Sequence, residues 1–283
     1  VNRVSDGALF AWGYNGSTTS PTGQVGDGTT IHKSSPVQIG TSSWTMVRMH
    51  EQTTAAIRSD GALFTWGYNG FANLGDNTTV NKSSPVQIGT SSWTAVSVGR
   101  YNTAAIRSDG ALFTWGNGGS GTLGDGTTIN KSSPVQIGTS SWTAVGGVSH
   151  IVAIRADGAL FAWGSNISGR LGDGTTVNKS SPVQIGTSSW TFVSVGATHT
   201  TAIRSDGTVW IWGNNSFGQL GDGTTVSKSS PVQVAGSWTT VQAGLTSTYG
   251  IKTNGTLWAW GSGTSGNLGD GTTINKSSPV QVG

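Results

Sequence analysis

The sequence predicts an all-β fold: a six-bladed β-propeller of four-stranded antiparallel blades, in preference to a seven-bladed ring. Three observations predict it. Trp-Gly recurs at Trp12, Trp66, Trp115, Trp163, Trp212 and Trp260, spaced by 54 residues and then by 49, 48, 49 and 48. A near-fixed period of that length marks an array of supersecondary units. Each copy contains short β-rich runs bounded by turn signals. The chain has 45 glycines and only 10% charged residues, a composition for strands and turns that lacks the Ala, Leu, Glu and Lys runs of helices.

One copy, residues 92–138, justifies the elements in order. Residues 93–98 (WTAVSV) alternate with period two and read as a first strand. Residues 99–102 interrupt it, and 103–107 (TAAIR) form a second. Ser108-Asp109-Gly110 is a tight turn, because Asp-Gly supplies the positive φ of a hairpin. Residues 111–115 (ALFTW) are a third strand. A Gly-rich connection leads to Leu123-Gly124-Asp125, and KSSPVQIG supplies a fourth. Pro134 has no N–H to donate, which assigns that strand to the outer edge of its sheet. Radial closure of such sheets protects edges that an open array would leave bare.

The second, third and fourth strands occur six times, but the Ser-Trp strand only five, at Trp44, Trp93, Trp142, Trp190 and Trp238. The 283 residues are therefore read as one repeat domain of six blades, the first incomplete, cut from a longer chain.

Composition narrows the function classes. There is no cysteine, which excludes disulfides, thiolate metal sites and cysteine nucleophiles. Net charge is +3, but six of the seven lysines hold one repeat position (Lys33, Lys82, Lys131, Lys179, Lys228, Lys276) and are expected as a ring of single charges. Nucleic-acid binding requires clustered basic residues, so no such partner is expected. No apolar run approaches the roughly 20 residues of a membrane helix, and no membrane insertion is expected.

Eleven of the twelve acids fall at two repeat positions, after Leu-Gly or Val-Gly and in the Asp-Gly turns, where turn hydrogen bonds explain them. Glu51 stands alone and cannot form an acid/base pair. His32, His50, His150 and His199 have no partner at metal-ligand spacing. Gly116-x-Gly118-x-x-Gly121 matches a dinucleotide fingerprint, but no helix follows it. The expectation is a non-enzyme with no cofactor and no metal.

Val96-x-x-Gly99, Ser108-Asp109-Gly110, Trp115-Gly116, Leu123-Gly124-Asp125 and Pro134-Val135 together resemble the repeats of the regulator of chromosome condensation family. The resemblance extends over almost the whole chain. It implies a β-propeller; the namesake has seven blades, and six copies are a departure. Family members include an exchange factor for a small GTPase, a plant UV-B photoreceptor and bacterial β-lactamase inhibitors. The photoreceptor's Gly-Trp-Arg-His-Thr run is here Gly99-Arg100-Tyr101-Asn102-Thr103 and Gly196-Ala197-Thr198-His199-Thr200, without Trp, so photoreception is not implied. The near-identical copies resemble bacterial and phage repeat proteins, and this likeness implies a secreted, cell-surface or virion location.

Comparison between copies places a site. In an up-down meander the loop after strand one and the loop after strand three share one end, while the Asp-Gly turns and the links between copies share the other. The second set is nearly uniform, and the first varies. Tyr, Arg and His concentrate in the variable loops, and aromatic and Arg side chains dominate recognition surfaces. The expected contact residues are Tyr68, Phe71, Arg100, Tyr101, His150, Arg170, His199, Phe217 and Tyr249. The expected partner is a protein or a glycan. A structural spacer in a surface or fibre protein is the alternative, and an enzyme with a central-channel site a more distant one.

Overall fold

The structure, a computed structural model, describes residues 7–16 and 21–283. The start of the expected second strand of the first copy, residues 1–6, lies outside the described residues. The chain divides into two compact units, residues 1–119 with 125–145, and residues 120–124 with 146–283.

In the first unit β1 (Phe10–Gly13) pairs with β2 (Lys33–Gln38). Then β3 (Trp44–His50), β4 (Thr53–Arg58), β5 (Ala62–Gly67) and β6 (Lys82–Val98) form an antiparallel meander. β7 (Asn102–Arg107), β8 (Ala111–Gly116) and β9 (Lys131–Gly147), which runs on past the boundary of the unit, repeat it. The second unit contains β10 (His150–Arg155), β11 (Ala159–Gly164), β12 (Lys179–Val195), β13 (His199–Arg204), β14 (Val209–Gly213) and β15 (Lys228–Val234). It ends with β16 (Trp238–Ala243), β17 (Ser247–Lys252), β18 (Leu257–Gly261) and β19 (Lys276–Gln281).

One expectation is corrected. The fourth strand of one copy and the first of the next are not separate: β6, β9 and β12 each run through both, 17 residues long. The Gly-Thr-Ser-Ser link stays extended because it is paired to the preceding third strand. Ala62 faces Ser92, and the Trp93 amide donates to the Gly61 carbonyl at 2.8 Å. Between β15 and β16 the link is Ala235-Gly236-Ser237, with Gly236 at φ +117°, and there the strand breaks.

The core lies between consecutive copies. Ile57 and Leu63 of β4 and β5 pack with Trp93, Val96 and Val98 of β6 and with Trp115 of β8. In the second unit Ile203 and Val209 pack likewise with Trp238, Val241 and Trp260. The register is fixed by pairs such as Ile57 with Leu63, so a slip of one residue would turn the apolar set outward. From Trp66 onward, each Trp-Gly tryptophan seats on the copy before it. Trp115 Nε1 donates to the Asn73 carbonyl at 3.1 Å, and Trp212 Nε1 to the Arg170 carbonyl at 2.9 Å. Gly75 must be glycine there: its φ is +78°, and a Cβ would come within 2.6 Å of Trp115 Nε1.

Candidate functional site

Backbone hydrogen bonds bring the variable loops together. The Tyr68 amide donates to the Gln52 carbonyl and the Asn117 amide to the Tyr101 carbonyl, each at 2.8 Å. The Ser165 amide does the same to the Ser149 carbonyl in the second unit. At the opposite ends of the strands the Ser59 and Ser108 amides tie the Asp-Gly turns to Ser43 and Ser92, both at 2.9 Å. The two loop classes thus separate as the meander requires.

In the first unit the variable loops build an aromatic cluster. Phe71 and Tyr101 have ring centroids 4.4 Å apart, and Tyr68 lies 6.2 Å from each. Tyr68 and Phe71 come from the loop after β5, and Tyr101 from the loop before β7 in the next copy. Arg100 is exposed, with Cζ 5.2 Å from the Tyr101 ring and Nε 3.5 Å from Glu51 Oε1. Both members of that pair are about half exposed, so it orients more than it stabilises. His50, beside it, is half-buried; burial lowers its pKa, Glu51 pulls it back up and Arg100 pushes it down.

The loop is braced from within. Asn69 is fully buried; Nδ2 donates to Asp76 Oδ1 at 3.0 Å and to the carbonyls of Thr78 and Val80, and Oδ1 accepts the Leu74 amide at 2.9 Å. Asn166 and Asn215 repeat this in the second unit. The ring cluster therefore sits on a fixed frame, which lowers the ordering cost of binding.

The second unit corrects three expected contacts. His150 and His199 are fully buried, with Nε2 2.7 Å from Thr200 Oγ1 and 2.8 Å from Thr248 Oγ1. They open β10 and β13, second strands flanked on both sides, so their side chains point into the packing and not to the rim. Burial pushes the pKa of both well below the ordinary imidazole value, His199 to about 3. Arg170 is 7% exposed; Nε donates to the Ile167 carbonyl and Nη1 to the Ala197 carbonyl, both at 3.0 Å. It ties two loops together. Phe217 is exposed, whereas Tyr249 is half-buried within β17, and its hydroxyl donates to the Asn267 carbonyl at 3.0 Å. The overlooked residue is Glu51: a carboxylate unmatched in other copies pairs with an Arg that is also unmatched.

The lysines are not single charges either. Each of the six at the repeat position pairs with the Leu-Gly-Asp or Val-Gly-Asp carboxylate of its own copy, from Lys33–Asp27 at 2.8 Å to Lys228–Asp222 at 3.6 Å. Burial of Asp76 would raise its pKa, but hydrogen bonds from Thr78, Asn69 and Lys82 outweigh that and hold it low. At the Asp-Gly turns the Arg58 guanidinium donates to Asp60 at 2.6 Å and lies 5.0 Å from the Phe64 ring. Among the described residues no group of three or more His, Asp or Glu side chains is placed to hold a metal ion.

Residues 3–283 match the RCC1-like domain family model, and the chain belongs to that family. The yeast protein RCC1 (Prp20) bound to Kap60 is 17% identical, with a TM-score of 0.84 over 99% of this chain and 71% of that one. A second Saccharomyces cerevisiae Prp20p structure, described with its binding to Gsp1p and histones, is 19% identical, with a TM-score of 0.84 over 99% and 73%. Human WBSCR16 is 19% identical, with a TM-score of 0.80 over 89% and 72%. The fold is a propeller-like arrangement of repeated four-strand units, as in those proteins.

Proposed function

We propose that this member of the RCC1-like domain family is a non-enzymatic protein-binding module. It engages its partner through the variable-loop ends of its strands, centred on Tyr68, Phe71, Arg100 and Tyr101. One observation carries the reading: three aromatic rings from two neighbouring copies meet there, beside an exposed Arg–Glu pair. Such side chains supply most interface energy. The similar yeast protein, solved with Kap60, supports a protein partner. The regular acids have structural work, Asp76 in its loop and Asp60 in its turn, which supports a binding role over catalysis. The six copies are read as six blades, with β1 and β2 in the first.

The test uses the intact chain as immobilised bait, with cross-linking to identify the partner and two multiple variants. Replacing Tyr68, Phe71, Arg100 and Tyr101 by Ala is expected to abolish capture. Replacing Ser59, Ser108 and Ser205 by Lys, at the Asp-Gly turns, is expected to leave it intact. The reverse result would place the site at the other end of the strands. Indifference to both would favour the structural spacer.

A further inference from the structure

We propose that Arg204, with Lys252 one copy further on, forms a site for an acidic segment of a partner polypeptide at the Asp-Gly-turn end of the second unit. In three copies the cation that ends the second strand is neutralised within its own turn. Arg58, Arg107 and Arg155 each donate to the carboxylate two residues on, at 2.6 Å. Arg204 holds the same position before Asp206, but the turn is built differently. Where the preceding copy has Ala159 and Phe161, this one has Thr208 and Trp210. Trp210 Nε1 donates to Thr208 Oγ1 at 2.8 Å, and that hydroxyl donates to Asp206 Oδ1 at 2.6 Å. In the preceding copy the equivalent oxygen, Asp157 Oδ1, accepts Arg155 Nε at 3.0 Å. Arg204 lies instead on the indoles, with Cζ 3.6 Å from the Trp210 centroid and 5.1 Å from that of Trp190. Among the described residues its guanidinium has no ion pair and no hydrogen bond; Nε is sealed from solvent and the terminal nitrogens are not. A guanidinium stacked by its face keeps the donors along its edge, and those suit a carboxylate.

The next copy repeats the arrangement with a lysine. Trp258 Nε1 donates to Thr256 Oγ1 at 2.8 Å, and Lys252 Nζ lies 3.4 Å from the Trp258 centroid and 5.3 Å from that of Trp238. The turn residue there is Asn254, which brings no charge. Trp238 and Trp258 pack in one apolar cluster with Ile203 and Val209, the chain neighbours of Arg204 and Thr208. The two cations therefore stand on a common packed base, each held by an indole that leaves its donors unengaged. Side chains placed in advance lower the ordering cost of binding. The charge balance selects the ligand. Two cations beside one exposed carboxylate, Asp206, give a small positive excess that suits a few acidic side chains. A run of phosphodiesters would require a longer basic track and would meet Asp206.

The probe is a rhodamine-labelled hexaglutamate peptide, titrated into the intact chain by fluorescence polarisation at about 150 mM salt, where exposed charges more than about 8 Å apart are largely screened. Saturable binding is expected, weakened at least about fivefold by Arg204→Gln and by Lys252→Gln. Arg155→Gln, which removes a cation already paired, should change it less than about twofold. The double variant Thr208→Ala with Trp210→Phe installs the pattern of the preceding copy. It releases Asp206 to pair with Arg204 and leaves the net charge unchanged, so binding should fall as far as in Arg204→Gln. Circular dichroism and melting establish that the variants are folded. Absence of saturable binding, an equal loss in Arg155→Gln, or native-strength binding by the double variant overturns the proposal. So does tighter binding of a labelled six-nucleotide oligothymidylate with the same dependence on Arg204, because the ligand would then be phosphate.

Discussion

Trp115 donates its indole N–H to the carbonyl of Asn73, 42 residues earlier, and the same carbonyl accepts the Thr103 hydroxyl at 2.8 Å. One backbone oxygen thus receives two side chains of the next copy. The carbonyl of Arg170 does the same for Trp212 and Thr200. The motif Trp-Gly and the motif Leu-Gly-Asp are two halves of one joint, and neither has meaning in a copy standing alone.

Disturbing that joint should be costly. Gly75→Ala places a methyl group 2.6 Å from Trp115 Nε1 in a left-handed backbone, for an expected loss of roughly 2–5 kcal/mol from overpacking and strain. Gly138→Ala meets nothing within 4 Å and has φ +61°, so only the strain of about 1–2 kcal/mol remains. Urea unfolding of both variants checks the order; equal losses would show that the joint is slack.

The buried histidines set a pH dependence. Burial lowers the folded pKa of His150 and His199, so the neutral ring is the folded form. Their contribution is complete above the unfolded value near 6.5 and is lost as pH falls toward the folded one, about 3 for His199. Denaturant midpoints measured between pH 7 and 4.5 should fall for the native chain and fall less steeply for His199→Gln. Parallel slopes would mean that the ring is protonated without cost.

Asp76 is expected to matter through its oxygens more than its charge. It accepts the Thr78 amide at 3.1 Å, the Thr78 hydroxyl at 2.8 Å and Asn69 Nδ2 at 3.0 Å. Asp76→Ala should cost about 1–3 kcal/mol by leaving buried donors unpaired. Raising the salt to 1 M should change the native midpoint little. A strongly salt-sensitive loss would make the Lys82 pair the main stabiliser.

Binding and stability should separate by residue. Tyr101→Ala is expected to cost at least about 2 kcal/mol in partner affinity at little cost in melting temperature. His150→Ala should do the opposite, because it removes a buried bond to Thr200 and touches no solvent. Titration calorimetry beside thermal melts distinguishes them.

The sequence shows its period plainly because Trp-Gly and Ser-Asp-Gly each meet a backbone demand in every copy. The aromatic cluster was legible as departure from that regularity: Arg100 and Tyr101 stand where the other copies vary. The burial of His150 was not. A strand's first residue and a loop's last have the same residue preferences, and direction is decided by the neighbouring sheet. Thr53 and Asn102 hold the same position and are buried like His150, which the residue types alone do not show. The ion pairs were hidden because Asp76 and Lys82 are brought together only by the fold of the loop. The long strands were hidden because Gly-Thr-Ser-Ser has the composition of a turn and is held extended by partners far along the chain.

Those uninterrupted strands change where the natural unit of exchange lies. A segment cut from one Asp-Gly turn to the next, Gly61 to Asp109, keeps β6 whole and carries Tyr68, Phe71, Arg100 and Tyr101 together. Recombination at these uniform turns would move a complete set of recognition loops in one step and leave every joint chemically the same. An array built this way can acquire a new specificity by trading cassettes, with no new fold to discover.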